Sequence, residues 1–221
     1  MVRKFRKRIC SITPLKRFVY LISPDKINQS FYANLDKVLA FKNVKFFQLR
    51  LKNVSEERIL NISKKIKKIT TKHKVKFVLN DNFILASKIR ADGCHMGQLD
   101  GSFKFARKNL KRKILGVTCH NSKTLAKNAI NNKADYIAFG SFFKSRLKPK
   151  AKKANLSILR WAKKEINKPI VAIGGINNLN YKKLINAGAK YIAISSFIWD
   201  NPKLKPEQAI KKFKWKLLLT K

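Results

Sequence analysis

The chain has 221 residues, enough for one good-sized core, and its 45% hydrophobic content marks it as globular rather than disordered. Lysine and arginine number 52 against 11 acids, for a formal net charge of +41. No apolar run approaches the roughly 18 residues a membrane span needs.

A field of that sign suits nucleic acid or an anionic surface. The lysines, however, are spread along the whole chain and fall opposite apolar stripes, as in Ser63-Lys64-Lys65-Ile66-Lys67-Lys68-Ile69. No zinc-finger, RNP or helix-turn-helix pattern accompanies them. A solvated, lysine-biased surface is expected, with no specific nucleic-acid partner and no membrane partner. Cys10, Cys94 and Cys119 lack Cys-x-x-Cys spacing and cannot all pair, so free thiols in a reducing cytoplasm are expected. Residues 1–13 read as a basic tail and residues 14–221 as one domain.

In chain order, Phe18 to Ile22 predicts a strand and Phe31 to Leu39 an amphipathic helix. Val44 to Leu51 predicts the second strand. Ser55-Glu56-Glu57 opens the next helix, with a capping hydroxyl and acids where the helix dipole favours them. Lys76 to Leu79 is a short buried strand, Phe83 to Ile89 a helix, and Cys94-His95-Met96 a further strand. Strands over Lys113–Thr118, Ala134–Gly140, Pro169–Ile176 and Tyr191–Ile194 follow. Helices are expected at Ser122–Asn131, Leu156–Ile166, Leu179–Ala187 (closed by Gly188) and Glu207–Leu217. Strand and helix alternate eight times. This predicts an α/β fold, a single (β/α)8 TIM barrel, with its active site where the strands end.

That reading gathers scattered residues onto one surface. Gln48, Arg50 and Lys52 share one face of a strand, and an inward orientation there calls for an anionic or polar ligand. Asp81 and Asp100 end two neighbouring strands, and adjacent carboxylates repel unless a cation, usually a divalent metal, lies between them. Gly174-Gly175 precedes a helix, where bare backbone N–H groups suit a phosphate, and Ser195-Ser196 adds hydroxyls beside it. Thr118 and His120 end the fifth strand, placed for phosphate binding or proton transfer. The basic segment Gly140 to Lys148 reads as a lid over a pyrophosphate.

Taken together, these pieces resemble the thiamine phosphate synthase family, whose sister barrel is a thiazole tautomerase. The resemblance rests on Gln48-x-Arg50-x-Lys52, Asn80-Asp81, Ala91-Asp92-Gly93-Cys94-His95-Met96-Gly97-Gln98-Leu99-Asp100, Gly116-Val117-Thr118-Cys119-His120, Ala134-Asp135-Tyr136-Ile137-Ala138-Phe139-Gly140 and Ala172-Ile173-Gly174-Gly175-Ile176. It implies a transferase joining hydroxymethylpyrimidine diphosphate to thiazole phosphate with loss of pyrophosphate. Asp81 and Asp100 would hold Mg2+. Gln48, Arg50, Lys52, Asn80 and Thr118 would line the pyrimidine diphosphate side, and Ser145 and Lys148 would contact phosphate. Gly174, Gly175, Ser195 and Ser196 would take the thiazole phosphate. Arg50, Thr118 and Lys148 would carry the catalytic electrostatics. Two positions depart from the family pattern: Leu147 stands where a threonine is usual, and Ser195 where an aliphatic residue is common. The alternatives are a tautomerase using His120 and a non-enzymatic basic barrel that binds nucleic acid or a phosphate ligand. The sequence does not specify an oligomeric state, and a homodimer is compatible with it.

Overall fold

The structure is a computed structural model and describes residues 18–144 and 153–214. The expected basic tail lies outside the described residues, as do Ser145, Leu147 and Lys148. Eight parallel strands close into a barrel in chain order. They are β1 (Val19–Ile22), β2 (Val44–Leu49), β3 (Lys76–Asn80), β4 (Gly93–Met96), β5 (Ile114–His120), β6 (Tyr136–Phe139), β7 (Ile170–Ile173) and β8 (Tyr191–Ile194). The helices are α1 (Gln29–Leu39), α2 (Glu56–Lys72), α3 (Phe83–Lys88), α4 (Phe103–Leu110), α5 (Lys123–Asn131), α6 (Leu156–Glu165), α7 (Tyr181–Ala187), α8 (Ser196–Trp199) and α9 (Pro206–Lys211). The expected (β/α)8 TIM barrel is borne out.

Several boundaries move for local reasons. The second strand stops at Leu49, because Ser23 at the end of β1 exchanges hydrogen bonds with the Arg50 backbone and turns the chain. The seventh helix starts at Tyr181 and not at Leu179. Asn177 accepts from the Leu179 and Asn180 N–H groups and holds those residues in a turn. The last helix ends at Lys211, short of the expected Leu217. Two helices went unread. Helix α4 carries a clear signature, a Ser102 cap with Phe103, Ala106 and Leu110 buried on one face. Helix α8 has four residues, too few for periodicity to register.

Helix starts are fixed by neutral caps. Asn28, Ser55, Asn82, Ser102, Ser122 and Asn155 each accept a hydrogen bond from a backbone N–H of the first turn. Such caps are worth about 1 kcal/mol each. At the opposite, N-terminal end of the barrel, aspartates stitch neighbouring strands. The Asp92 N–H donates to the Phe77 carbonyl at 2.8 Å, and its carboxylate accepts the Phe77 N–H at 2.9 Å. Asp135 does the same with Leu115. The Ala-Asp pairs in both motifs are therefore structural and lie away from the strand ends.

Alternating strand residues separate two cores. Outward residues such as Leu21, Phe47, Leu49, Leu79, Cys94 and Val117 meet the helices. Inward residues Tyr20, Ile22, Phe46, Val78, Tyr136, Ala138, Val171, Tyr191 and Ala193 fill the barrel. Phe46 stacks on Tyr20 at 5.1 Å and meets Tyr191 edge-on at 5.2 Å. Tyr136 reaches across the interior only because Gly116 has no side chain: a Cβ there would fall 2.0 Å from Tyr136 Cζ. Tyr136 is fully enclosed and has nowhere to retreat. Gly116→Ala is therefore expected to destabilise the fold by about 1–3 kcal/mol in denaturant titration, the usual cost of overpacking. An unchanged unfolding midpoint would show that the ring can move aside.

Candidate active site

The C-terminal ends of β2 to β5 bring most of the expected residues together. Gln48 faces the barrel interior, is 3% exposed, and donates from Nε2 to the Tyr20 hydroxyl at 3.1 Å. The inward reading of the Gln48-Arg50-Lys52 row holds at that residue. Beyond the end of β2, half-buried Arg50 reaches Asp25 at 3.4 Å. Exposed Lys52 pairs with Asp81. Asn80 closes β3, half-buried. Asp81 follows at φ +66, a strained backbone held in place by its N–H donating to the His95 carbonyl at 2.7 Å.

Asp100 is carried by the loop after β4. Its carboxylate accepts the Gly97 N–H at 2.6 Å, which folds the loop back on itself. Gln98 donates from its side-chain amide to the Thr118 carbonyl and ties this loop to β5. The two acids lie close enough to share a hydrogen bond. Burial and the hydrogen bond with Asp81 push the Asp100 carboxyl above the usual range, against the Gly97 N–H. Asp81 is desolvated too, but hydrogen bonds from Lys52 and Asp100 outweigh that and hold it below the usual range. One acid thus carries the charge easily and the other resists it, as two carboxylates close enough to repel must. Among the described residues no group of three or more His, Cys, Asp or Glu side chains forms a metal cage. Two carboxylates suit a hard cation that keeps water and takes its remaining oxygens from a substrate.

On the far side of the mouth, the loops after β6 and β7 are zipped together. Phe142 N–H donates to Ile173 O, and Phe143 N–H to Gly174 O, both at 3.1 Å. Gly174 (φ +105) and Gly175 (φ +60) are required there, since a Cβ on Gly175 would fall 2.3 Å from the Lys144 carbonyl. Ser196 opens the short α8. Ser195 donates its hydroxyl to the Ser23 carbonyl at 2.9 Å, closing the β8–β1 seam and leaving only its lone pairs for a ligand. Of the two fifth-strand candidates, His120 is exposed at φ +50, while Thr118 turns inward against His95.

Sequence reasoning missed the floor beneath these residues. His95, 7% exposed, is bonded through Nδ1 to the Tyr136 hydroxyl and through Nε2 to Thr118 Oγ1, both at 2.8 Å. Tyr136 in turn bonds Tyr20 at 2.7 Å. Strand alternation carried the signal: Cys94 and Met96 face the helices, so His95 must face inward. His95 also pairs with Asn80 across the sheet.

The acid pair predicts a trade-off. Because the folded chain holds the Asp100 proton more tightly than an unfolded chain would, this group adds stability below the ordinary carboxylate value. That contribution is lost as pH rises through the raised one. At neutral pH, in chelator, Asp100→Asn is therefore expected to raise the thermal midpoint while abolishing activity. The gain should vanish below the ordinary carboxylate range. A lowered midpoint at neutral pH would contradict the assigned repulsion.

The model of the thiamine monophosphate synthase family matches residues 19–198. A thiamine-phosphate synthase of Pelagibacter ubique is 55% identical over 200 residues, covering 90% of this chain and 97% of that one. One from Erythrobacter litoralis is 39% identical over 202 residues, covering 89% and 95%. Among solved structures, a thiamine phosphate pyrophosphorylase from Pyrococcus furiosus superposes with a TM-score of 0.80 at 25% identity, covering 90% of this chain and 94% of that one. An orotidine 5'-phosphate decarboxylase from Pyrococcus horikoshii, at 14% identity and a TM-score of 0.61, shares the barrel alone. With the family's model spanning β1 to α8 and close relatives covered almost end to end, this chain belongs to the thiamine monophosphate synthase family.

Proposed function

We propose that this barrel joins hydroxymethylpyrimidine diphosphate to thiazole phosphate, forming thiamine phosphate and releasing pyrophosphate. The observation that carries the reading is the adjacent Asp81–Asp100 pair flanked by Arg50 and Lys52. Such a constellation neutralises a leaving diphosphate. Asp81 and Asp100 would hold Mg2+, whose charge would stabilise the departing anion.

The chain's own residues do the rest. Gln48 and Thr118, with Asn80, hold the pyrimidine at the mouth. Arg50 and Lys52 face the diphosphate. Lys52 then exchanges its carboxylate partner Asp81 for phosphate oxygen as substrate binds. The bond between the pyrimidine methylene and the diphosphate oxygen breaks with its electron pair going to diphosphate. The thiazole nitrogen lone pair then forms the new bond to the methylene carbon. No proton moves and no protein nucleophile is needed, so preorganised charge is the main catalytic resource. Gly174, Gly175, Ser195 and Ser196 take the thiazole phosphate, Ser195 only as an acceptor in its present geometry. Ser145 and Lys148 complete the phosphate contacts from outside the described residues.

Proton transfer by His120 is the weaker reading. Its ring has no hydrogen-bond partner among the described residues to orient it, as a general base requires. Lysines on exposed helix faces support a solvated surface over a nucleic-acid site. Among the described residues, no helix is long and apolar enough to cross a membrane. Cys94 and Cys119 are buried free thiols, as a reducing cytoplasm would keep them. A homodimer is compatible with this reading.

The test is a coupling assay with both substrates, with and without Mg2+. Magnesium-dependent thiamine phosphate is expected, reduced by roughly two orders of magnitude or more in Asp81→Ala and Asp100→Ala. Absence of product at every magnesium level would overturn the reading.

A further inference from the structure

The interior hydrogen bonds form one unbroken relay across five strands: Gln48 on β2, Tyr20 on β1, Tyr136 on β6, His95 on β4 and Thr118 on β5. Four of its five members are nearly inaccessible to solvent. Gln48, Tyr20, Tyr136 and His95 are 3%, 1%, 1% and 7% exposed. Both ends open at the pyrimidine side of the proposed site. Only Gln48 and Thr118 stand among the proposed substrate-binding residues, and the three between them have no assigned role.

With the imidazole neutral and each tyrosine proton spent inside the relay, two senses are open. The Gln48 amide nitrogen can only donate, so Tyr20 accepts from it. The Tyr20 proton then goes to Tyr136, and the Tyr136 proton to His95 Nδ1. In that sense a neutral His95 carries its proton on Nε2, and that proton goes to Thr118 Oγ1. Thr118 is left with its own hydroxyl proton, and Gln48 with its carbonyl oxygen, to present to a ligand. Turning the Gln48 amide over reverses every bond. Tyr20 then donates to Gln48, His95 carries its proton on Nδ1, and Thr118 spends its proton on His95. Gln48 now offers N–H and Thr118 a lone pair. Burial keeps both tyrosine hydroxyls protonated, as a relay of neutral donors needs.

We propose that Tyr20, Tyr136 and His95 are positioning residues that lock the polarity of Gln48 and Thr118 together. In the sense seen here, the site reads the amine–ring-nitrogen edge of an aminopyrimidine and rejects the oxo form. This deepens the proposed reaction and rests on it for the substrate. An amine offers N–H to the Gln48 carbonyl, and the neighbouring ring nitrogen accepts from Thr118. A 4-oxo ring reverses both polarities. It can be read only if the whole relay turns over, so the two contacts discriminate as a unit.

The experiment has two arms on the full-length chain. In the first, nitrogen NMR of 15N-histidine-labelled protein without substrate reports the His95 tautomer. Protonated Nε2 with bare Nδ1 is expected in the wild type, and a mixture in Tyr136→Phe, which keeps the ring but cuts the relay. Tyr20→Phe cuts it one bond farther away and gives the same expectation should Tyr136→Phe fail to fold. In the second arm, kcat/KM for the 4-amino and 4-oxo pyrimidine diphosphates is compared. The ratio should fall at least about tenfold in either variant, with the KM for thiazole phosphate unchanged. A wild-type proton on Nδ1, or a tautomer and a preference unmoved by both variants, would overturn the relay. The NMR arm contains no substrate, so an inactive wild type overturns the proposed reaction separately from the tautomer assignment.

Discussion

Tyr136 laid across the barrel against Gly116 is the contact on which the interior depends. A closed ring of eight short strands must be filled from within. Here the filling is aromatic, with Tyr20, Phe46, Tyr136 and Tyr191 meeting in stacked and edge-on pairs. Tyr20 and Tyr136 bring their hydroxyls into a dry space, and an unpaired hydroxyl there costs about 1–3 kcal/mol. The hydroxyls therefore have to be bonded, and bonding them draws in Gln48, His95 and Thr118. The packing problem and the proposed binding site have a common solution. Filling the barrel with tyrosine commits its upper layer to a defined set of donors and acceptors.

Charge follows a related economy. With 11 acids in the chain, six of the seven aspartates sit at specific tasks. Asp92 and Asp135 pair strands and bind Lys76 and Arg107. Asp36 holds Lys72 and His73, Asp25 steadies Arg50, and Asp81 and Asp100 form the mouth pair. Helix caps, where aspartate is often found, are asparagine or serine in the six helices with a side-chain cap. Against a background of +41, the Asp81–Asp100 pair is a local negative point at the end of a positive molecule. A field of that sign would act on anions within a Debye length of about 8 Å at physiological salt.

The fold was legible because its signal is periodic. Short apolar strands and amphipathic helices recur, and the Ser55 cap and the Gly188 stop mark their ends correctly. Proximity of Asp81 and Asp100 followed from topology, since both end adjacent parallel strands. The relay was illegible for the opposite reason. His95 lies between Cys94 and Met96 in a strand that reads as uniformly apolar, and Tyr20 and Tyr136 pass for core aromatics. Their partners come from strands up to 116 residues apart, so no local pattern records the bonds. Parity alone could have turned His95 inward, and a partner search would have had to start there.

The aspartate stitches at the base of the barrel bear on how the ring comes together. Asp92 clasps β3 to β4 and Asp135 clasps β5 to β6, each within one strand–helix–strand unit. The equivalent position before β8 is Lys190, whose N–H reaches Ile170 without a carboxylate to return the bond. Clasping spans of 15 and 20 residues cost little loop entropy. The ring is therefore fastened unevenly, with two self-contained clips in its middle and a β7–β8 pairing that lacks one, while β8 and β1 are joined by their own ladder and by the Ser195 bond to Ser23. The proposed metal pair and the relay histidine are built on the clipped half. The proposed thiazole-phosphate loops follow β7 and β8, the pair without a clasp, so the second substrate would be received by the half of the ring whose base has fewer carboxylate ties.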